Sequence, residues 1–119
     1  MRKESILREK SFVFALRIVK LNQYLNDNRK EFVLSKQILR SGTAIGALIR
    51  ESENAASKKD FINKLTVALK EADETIYWLE LLKGAGFLEL KVYESLCCDC
   101  DELIKLLVAS VKTSKLHVT

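Results

Sequence analysis

The residues best able to do chemistry in this 119-residue chain are three cysteines, one histidine and a run of carboxylates. Cys97 and Cys100 form a Cys-x-x-Cys pair, with Cys98 between them. A metal held by such a pair needs two further sulfur or imidazole ligands, and the single histidine, His117, sits at the far end of the chain. A redox pair normally opens a helix, whose N-terminus lowers the pKa of the first thiol, whereas this pair falls inside a helical pattern. Cys97 and Cys100 are therefore expected as small core residues and Cys98 as a free thiol. Glu71, Asp73, Glu74 and Glu80 crowd one segment, but di-iron bundles use Glu-x-x-His pairs, which the sequence lacks. These acids are expected on a solvated helix surface. With one terminal histidine, no Ser-His-acid set can be assembled, and no glycine-rich phosphate loop is present. The expectation is a protein that is not an enzyme and uses neither cofactor nor metal.

The basic residues offer a second kind of chemistry, the recognition of a polyanion. Lys36, Arg40, Arg50, Lys58 and Lys59 lie on or just after a second helical pattern, and Arg17 and Lys20 lie on the first, with Arg8 and Lys10. The formal charge of +4 is unevenly spread: residues 1–59 carry 13 basic and 6 acidic groups, the remainder 7 and 10. Such a surface serves either as an ordinary solvated face or as a phosphate-binding patch. Assembly of several copies would favour the second, because repeated weak phosphate contacts on one rigid body add together.

Four periodic segments must position these groups. Proline is absent and glycine occurs four times, too little punctuation for an all-β fold. The first segment sets Leu7, Ser11, Phe14, Ala15, Ile18, Leu21 and Leu25 on one helical face, and Asn-Asp-Asn-Arg-Lys at 26–30 is expected to end it. The second, about 32–56, aligns Leu34, Ile38, Ser41, Ile45, Leu48, Ser52 and Ala55. Ser57 and Asp60 have the spacing of a capping box that opens a third helix. Its inward stripe is Phe61, Leu65, Ala68, Leu69, Ala72, Ile76, Leu79 and Leu82, closed by Gly84 and Gly86 as left-handed residues. The fourth, about 90–114, carries Tyr93, Leu96, Cys97, Cys100, Leu103, Ile104, Leu107 and Val111. Long rods with short links predict an all-α, antiparallel, up-down-up-down four-helix bundle forming one domain over 1–119. No apolar run approaches the roughly 20 residues that span a bilayer, and the charged start lacks a signal-peptide core. With its unpaired cysteines the chain is expected in the cytoplasm, away from membranes.

Gly42 and Gly46 fall on a second stripe of the second helix, with Ser35, Leu39, Ile49 and Glu53, rotated about 100° from the seam. Each glycine costs a helix interior roughly 0.8–1 kcal/mol against alanine, a loss that close backbone approach can offset. The approaching element is either a neighbouring helix of the same chain or another copy. On the third helix Val67, Trp78 and Leu81 lie off the inward stripe. Gly42, Gly46, Val67, Trp78 and Leu81 are therefore candidate oligomer contacts.

The stretch from Ile38 to Leu82 resembles the small four-helix-bundle proteins encoded in intervening sequences of bacterial 23S ribosomal RNA genes. The likeness rests on Arg40, Ser41, Ile45 and Gly46, on Glu51, on Ser57, Lys58, Asp60 and Phe61, and on Ala68, Glu71, Ala72, Glu74, Trp78 and Leu79. The Phe-Val-Phe-Ala-Leu-Arg-Ile-Val-Lys-Leu run of the first helix extends it over nearly the whole chain. Where the family commonly reads Asn-Ile-Ala-Glu-Gly, this chain has Leu48, Ile49, Arg50, Glu51 and Ser52. The resemblance implies a homopentameric ring, and a related branch, the accessory variability proteins of diversity-generating retroelements, associates with a reverse transcriptase and nucleic acid. It thus implies binding of structured RNA or of a nucleic-acid-handling protein. The alternative is a protein-interaction scaffold that docks a partner helix without touching nucleic acid.

Overall fold

A computed structural model of the protein describes residues 3–116. These form four helices: α1 (Lys3–Arg29), α2 (Leu34–Ser52), α3 (Lys58–Gly84) and α4 (Leu90–Leu116), with no strand among the described residues. Each helix packs on its neighbour in sequence, and α1 also meets α4, giving a rod of 50 × 23 × 22 Å. Arg8 near the start of α1 pairs with Glu53 just beyond α2, while Asn22 later in α1 reaches the Ser35 carbonyl at the start of α2.

The seams expected from periodicity are buried at most positions; Tyr93, Cys97, Ile104 and Val111 of α4 are only half-buried, and in α2 Ile49 of the second stripe is buried where Leu48 is half-buried, because that stripe faces α1. Phe14, Ile18 and Leu25 of α1, Ile38 and Ile45 of α2, Leu65 and Leu79 of α3, and Leu103 and Leu107 of α4 join one hydrophobic cluster. Each such side chain contributes about 1.5–3 kcal/mol by leaving water. Two buried polar groups are paired across helices, while Ser11 and Ser52 donate to carbonyls of their own helix. Thr75 Oγ1 bonds Ser41 Oγ at 2.9 Å, tying α3 to α2, and the Cys100 thiol donates to the Ala72 carbonyl at 3.4 Å, tying α4 to α3. Thr75, absent from the expected stripe, is fully buried because this partner satisfies its hydroxyl.

The helix ends depart from expectation in instructive ways. Asn26, Asp27 and Asn28 do not end α1; they continue it, and the turn comes at Lys30, which adopts a left-handed φ of 53°. Asn26 remains helical because its side chain donates to Asn22 and accepts from the Ser35 hydroxyl. Ser57 accepts from the Asp60 amide at 3.0 Å, as a capping residue should, while Asp60 reaches one residue further back, to the Ala56 amide. At the end of α3 only Gly86 is left-handed, at φ 86°; Gly84 is the last helical residue. Phe87 N–H returns to the Leu82 carbonyl and Gly86 N–H to the Lys83 carbonyl, the two bonds of a Schellman motif.

The N-terminus of α2 is capped by a residue not anticipated from the sequence. Glu31 curls forward so that Oε1 accepts from the Ser35 amide at 2.7 Å and Oε2 accepts from Val33 and Leu34 at 3.1 and 3.0 Å. Burial works to raise its pKa, but the amide bonds from Leu34, Ser35 and Val33 together outweigh that and hold it below the usual carboxylate range. The carboxylate form is the one the fold binds. Its share of stability is complete above the pH at which a free glutamate titrates, and it is lost as the pH falls through the lowered folded pKa. Replacing Glu31 by alanine should cost about 1 kcal/mol near neutral pH and flatten the acid limb of thermal stability, measured by circular dichroism from pH 7 down to pH 3.

Candidate functional site

The second stripe of α2 faces α1. A β-carbon on Gly42 would lie 2.8 and 2.9 Å from Cγ1 and Cγ2 of Ile18, atoms fixed near the backbone of a fully buried side chain. The expected role of Gly42 between copies is thus corrected: the close approach it permits is made inside the chain, and the residue is buried. Gly46 differs. A β-carbon there would meet Ser11 at 3.4 Å, ordinary contact, and the residue stays partly open to solvent. It lies in a groove between α1 and α2 with Phe12, Ala15, Thr43, Ala47 and Arg50.

Phe12 is 52% exposed and Leu16 46% exposed, with Val13 and Val19 also open on the outer side of α1. This face was missed in the sequence. The sign of it was present, because Phe12, Val13, Leu16 and Val19 fall between the seam positions and make α1 apolar around most of its circumference. Trp78 is half-buried against the core and donates from Nε1 to Glu74 at 3.0 Å, and Val67 is also half-buried. Leu81 and its neighbour Tyr77 are exposed.

The arginines divide from the lysines. Arg40 is held by Glu71 and Glu74 of α3; burial opposes its charge, but the two carboxylates outweigh that and raise its pKa. Glu71 and Glu74 are half-buried and so are ligands for an arginine and a tryptophan, not the solvated acids expected. Arg17 bonds Asp99 at 2.7 Å across to α4. Arg50 lies with its guanidinium 5.5 Å from the Phe12 ring centre. Lys20, Lys36, Lys58 and Lys59 are exposed and have no acidic partner within 4 Å among the described residues. They are not brought together: Lys36 opens α2, whereas Lys58 and Lys59 open α3 beyond the other end of α2, about 24 Å away along the axis.

The cysteines are free thiols. Burial pushes Cys100 up to about 12, with Asp101 adding to it, and burial with the charges of Asp101 and Glu80 also raises Cys97. Neither is primed as a nucleophile. No cluster of three metal-ligating side chains occurs among the described residues, and His117 lies outside them. No described helix is long and apolar enough to cross a membrane.

The molecule is an all-α protein of four helices whose surface carries exposed lysines and an open apolar face. A sequence model of the 23S rRNA-intervening sequence proteins matches residues 3–109, and the chain belongs to that family. A crystal structure at 1.70 Å of a protein of unknown function from the S23 ribosomal protein family of Bacteroides thetaiotaomicron is similar, with 54% identity and a TM-score of 0.92. The alignment covers 93% of this chain and 99% of that one. No curated protein matches the chain.

The two glycines separate cleanly in stability. Gly42→Ala drives a methyl group into Ile18 and should lower stability by about 1–3 kcal/mol. Gly46→Ala meets only ordinary contacts and should raise it by up to about 1 kcal/mol through helix propensity. Urea denaturation of both variants, at chain concentrations low enough to leave single copies, checks this, and a destabilised Gly46→Ala chain there would overturn the reading of Gly46 as free of close contact within its own chain.

Proposed function

We propose that the chain is a non-enzymatic, homo-oligomeric bundle that binds structured RNA, or a complex handling nucleic acid, through its exposed lysines. In this reading the helices are antiparallel, as the pairings of Arg8 with Glu53 and Asn22 with Ser35 favour, and copies close into a ring, for which a pentamer is the family's expectation. The observation that carries the reading is the separation of charges. Arg17 and Arg40 are neutralised within the fold, while Lys20, Lys36, Lys58 and Lys59 keep theirs in solvent.

A hydrated ammonium on a flexible stem suits phosphates without regard to base sequence. A single chain offers few such contacts, and a closed assembly multiplies them. The family's link to 23S rRNA points to RNA as the polyanion. The alternative, a scaffold for a protein partner, draws on the exposed apolar face of α1 and needs no lysine at all.

Titration of a labelled structured RNA at several salt concentrations distinguishes them. Affinity should fall steeply with salt, and Lys58→Ala with Lys59→Ala should weaken binding to all sequences alike and lower the log–log slope by about 2 per chain engaged. No binding at low salt, or binding indifferent to salt, would refute the proposal and favour the scaffold.

A further inference from the structure

The groove between α1 and α2 and the outer face of α3 carry unpaired charges of opposite sign. The groove has a glycine floor at Gly46, an aromatic wall at Phe12 and a cation at Arg50. Arg50 has no carboxylate within 4 Å among the described residues. On α3 the exposed side chains of Tyr77 (54%) and Leu81 (36%) project beside Asp73 and Glu80, which are exposed and likewise have no cationic partner there. Asp73, Tyr77 and Glu80 stand four and three residues apart, so they share one side of the helix.

We propose that this groove is a socket for the outer face of α3 of a second copy, in a head-to-tail contact with Tyr77 seated over Gly46 and the acids beside it facing Arg50. The inference rests on the reading that the chain self-assembles and adds which surfaces meet. Three observations select this occupant. Within its own chain Gly46 needs no glycine, since an added methyl would meet only ordinary contacts, so the open floor has its use outside the chain. The uncompensated charges are of opposite sign on the two faces, so a two-fold contact of like faces would oppose Arg50 to Arg50, or Glu80 to Glu80, while the unlike contact pairs them. A second groove, between α1 and α4, is already bridged by the chain's own pairs, Lys10 with Glu102 and Arg17 with Asp99.

The test is disulfide trapping in the full-length chain, with the exposed Cys98 changed to Ser. Gly46→Cys and Tyr77→Cys are made singly and together, and each variant is oxidised mildly and run on a denaturing gel. The combined variant should give a ladder of covalent multimers and each single variant only the monomer band. A dimer from Gly46→Cys alone, or no ladder from a combined variant that circular dichroism shows to be folded, overturns the socket. Charge exchange gives an independent readout: Arg50→Glu or Glu80→Arg should weaken assembly about tenfold, and the two together should restore it. Light scattering of the unaltered chain separates the two levels of inference. A multimer with no ladder overturns the socket alone, and a lone 13.6 kDa particle overturns self-assembly as well.

Discussion

The distance between α1 and α2 is governed by the methyl group that Gly42 lacks. Ile18 occupies that space, fully buried, and the helices come close enough for the Ser11 backbone to stand 3.4 Å from where a β-carbon of Gly46 would be. A helix packed so closely along one side has its opposite side fixed in direction. Phe12, Leu16 and Val19 are therefore held outward as a rigid consequence of the inward contact, not as a loose surface. The same approach leaves a shallow groove where the small residues Thr43, Gly46 and Ala47 follow one another on α2. Inner packing and outer apolar surface thus have one cause.

Polar interactions decide which charges reach solvent. Surface ion pairs add roughly 0–1 kcal/mol each, too little to account for the fold. Their larger effect is to neutralise Arg8, Arg17 and Arg40 beside carboxylates of the turn after α2, of α4 and of α3 respectively. Arg29 is likewise committed, donating to the Gly86 and Phe87 carbonyls and stacking on the Phe87 ring 5.0 Å away. What remains outside is mainly lysine, whose strongly hydrated ammonium makes weak, adaptable contacts.

The buried seams were legible because a 3.6-residue period needs only apolar residues at the right spacing, although α2 also buries Ile49 and Gly42 of its second stripe while Leu48 is half-buried. Ser57 was legible because its cap is local. Glu31 was not, since its three amide bonds depend on the chain's reversal at Lys30, a left-handed turn made without glycine or asparagine at that position. Gly42 and Gly46 could not be separated by spacing, for residues four apart share a stripe, and only the register of α1 decides which one lies against Ile18. Thr75 and the acids Glu71 and Glu74 were misjudged for a common reason. Their partners, Ser41 and Arg40, are about 30 residues away in sequence, and a polar residue with a distant partner looks like surface until the helices are packed.

The uneven charge along the chain acquires a structural meaning once it is mapped onto faces. Residues 1–59 build the α1–α2 groove proposed as a socket and carry the basic excess, whereas residues 60–119 supply Tyr77, Leu81 and the acids beside them. Joining unlike faces leaves each new copy with one socket and one protrusion still open, so such contacts continue until rotation closes them on themselves. Closure would also serve the proposed binding of RNA. Lys58 and Lys59 stand at the start of α3, about four turns before Asp73, the first acid of its proposed docking face, so assembly would repeat them around the particle without covering them. A phosphate contact too weak to matter on one chain gains from each copy added. The apolar contact between copies and the basic surface would then be two expressions of one arrangement.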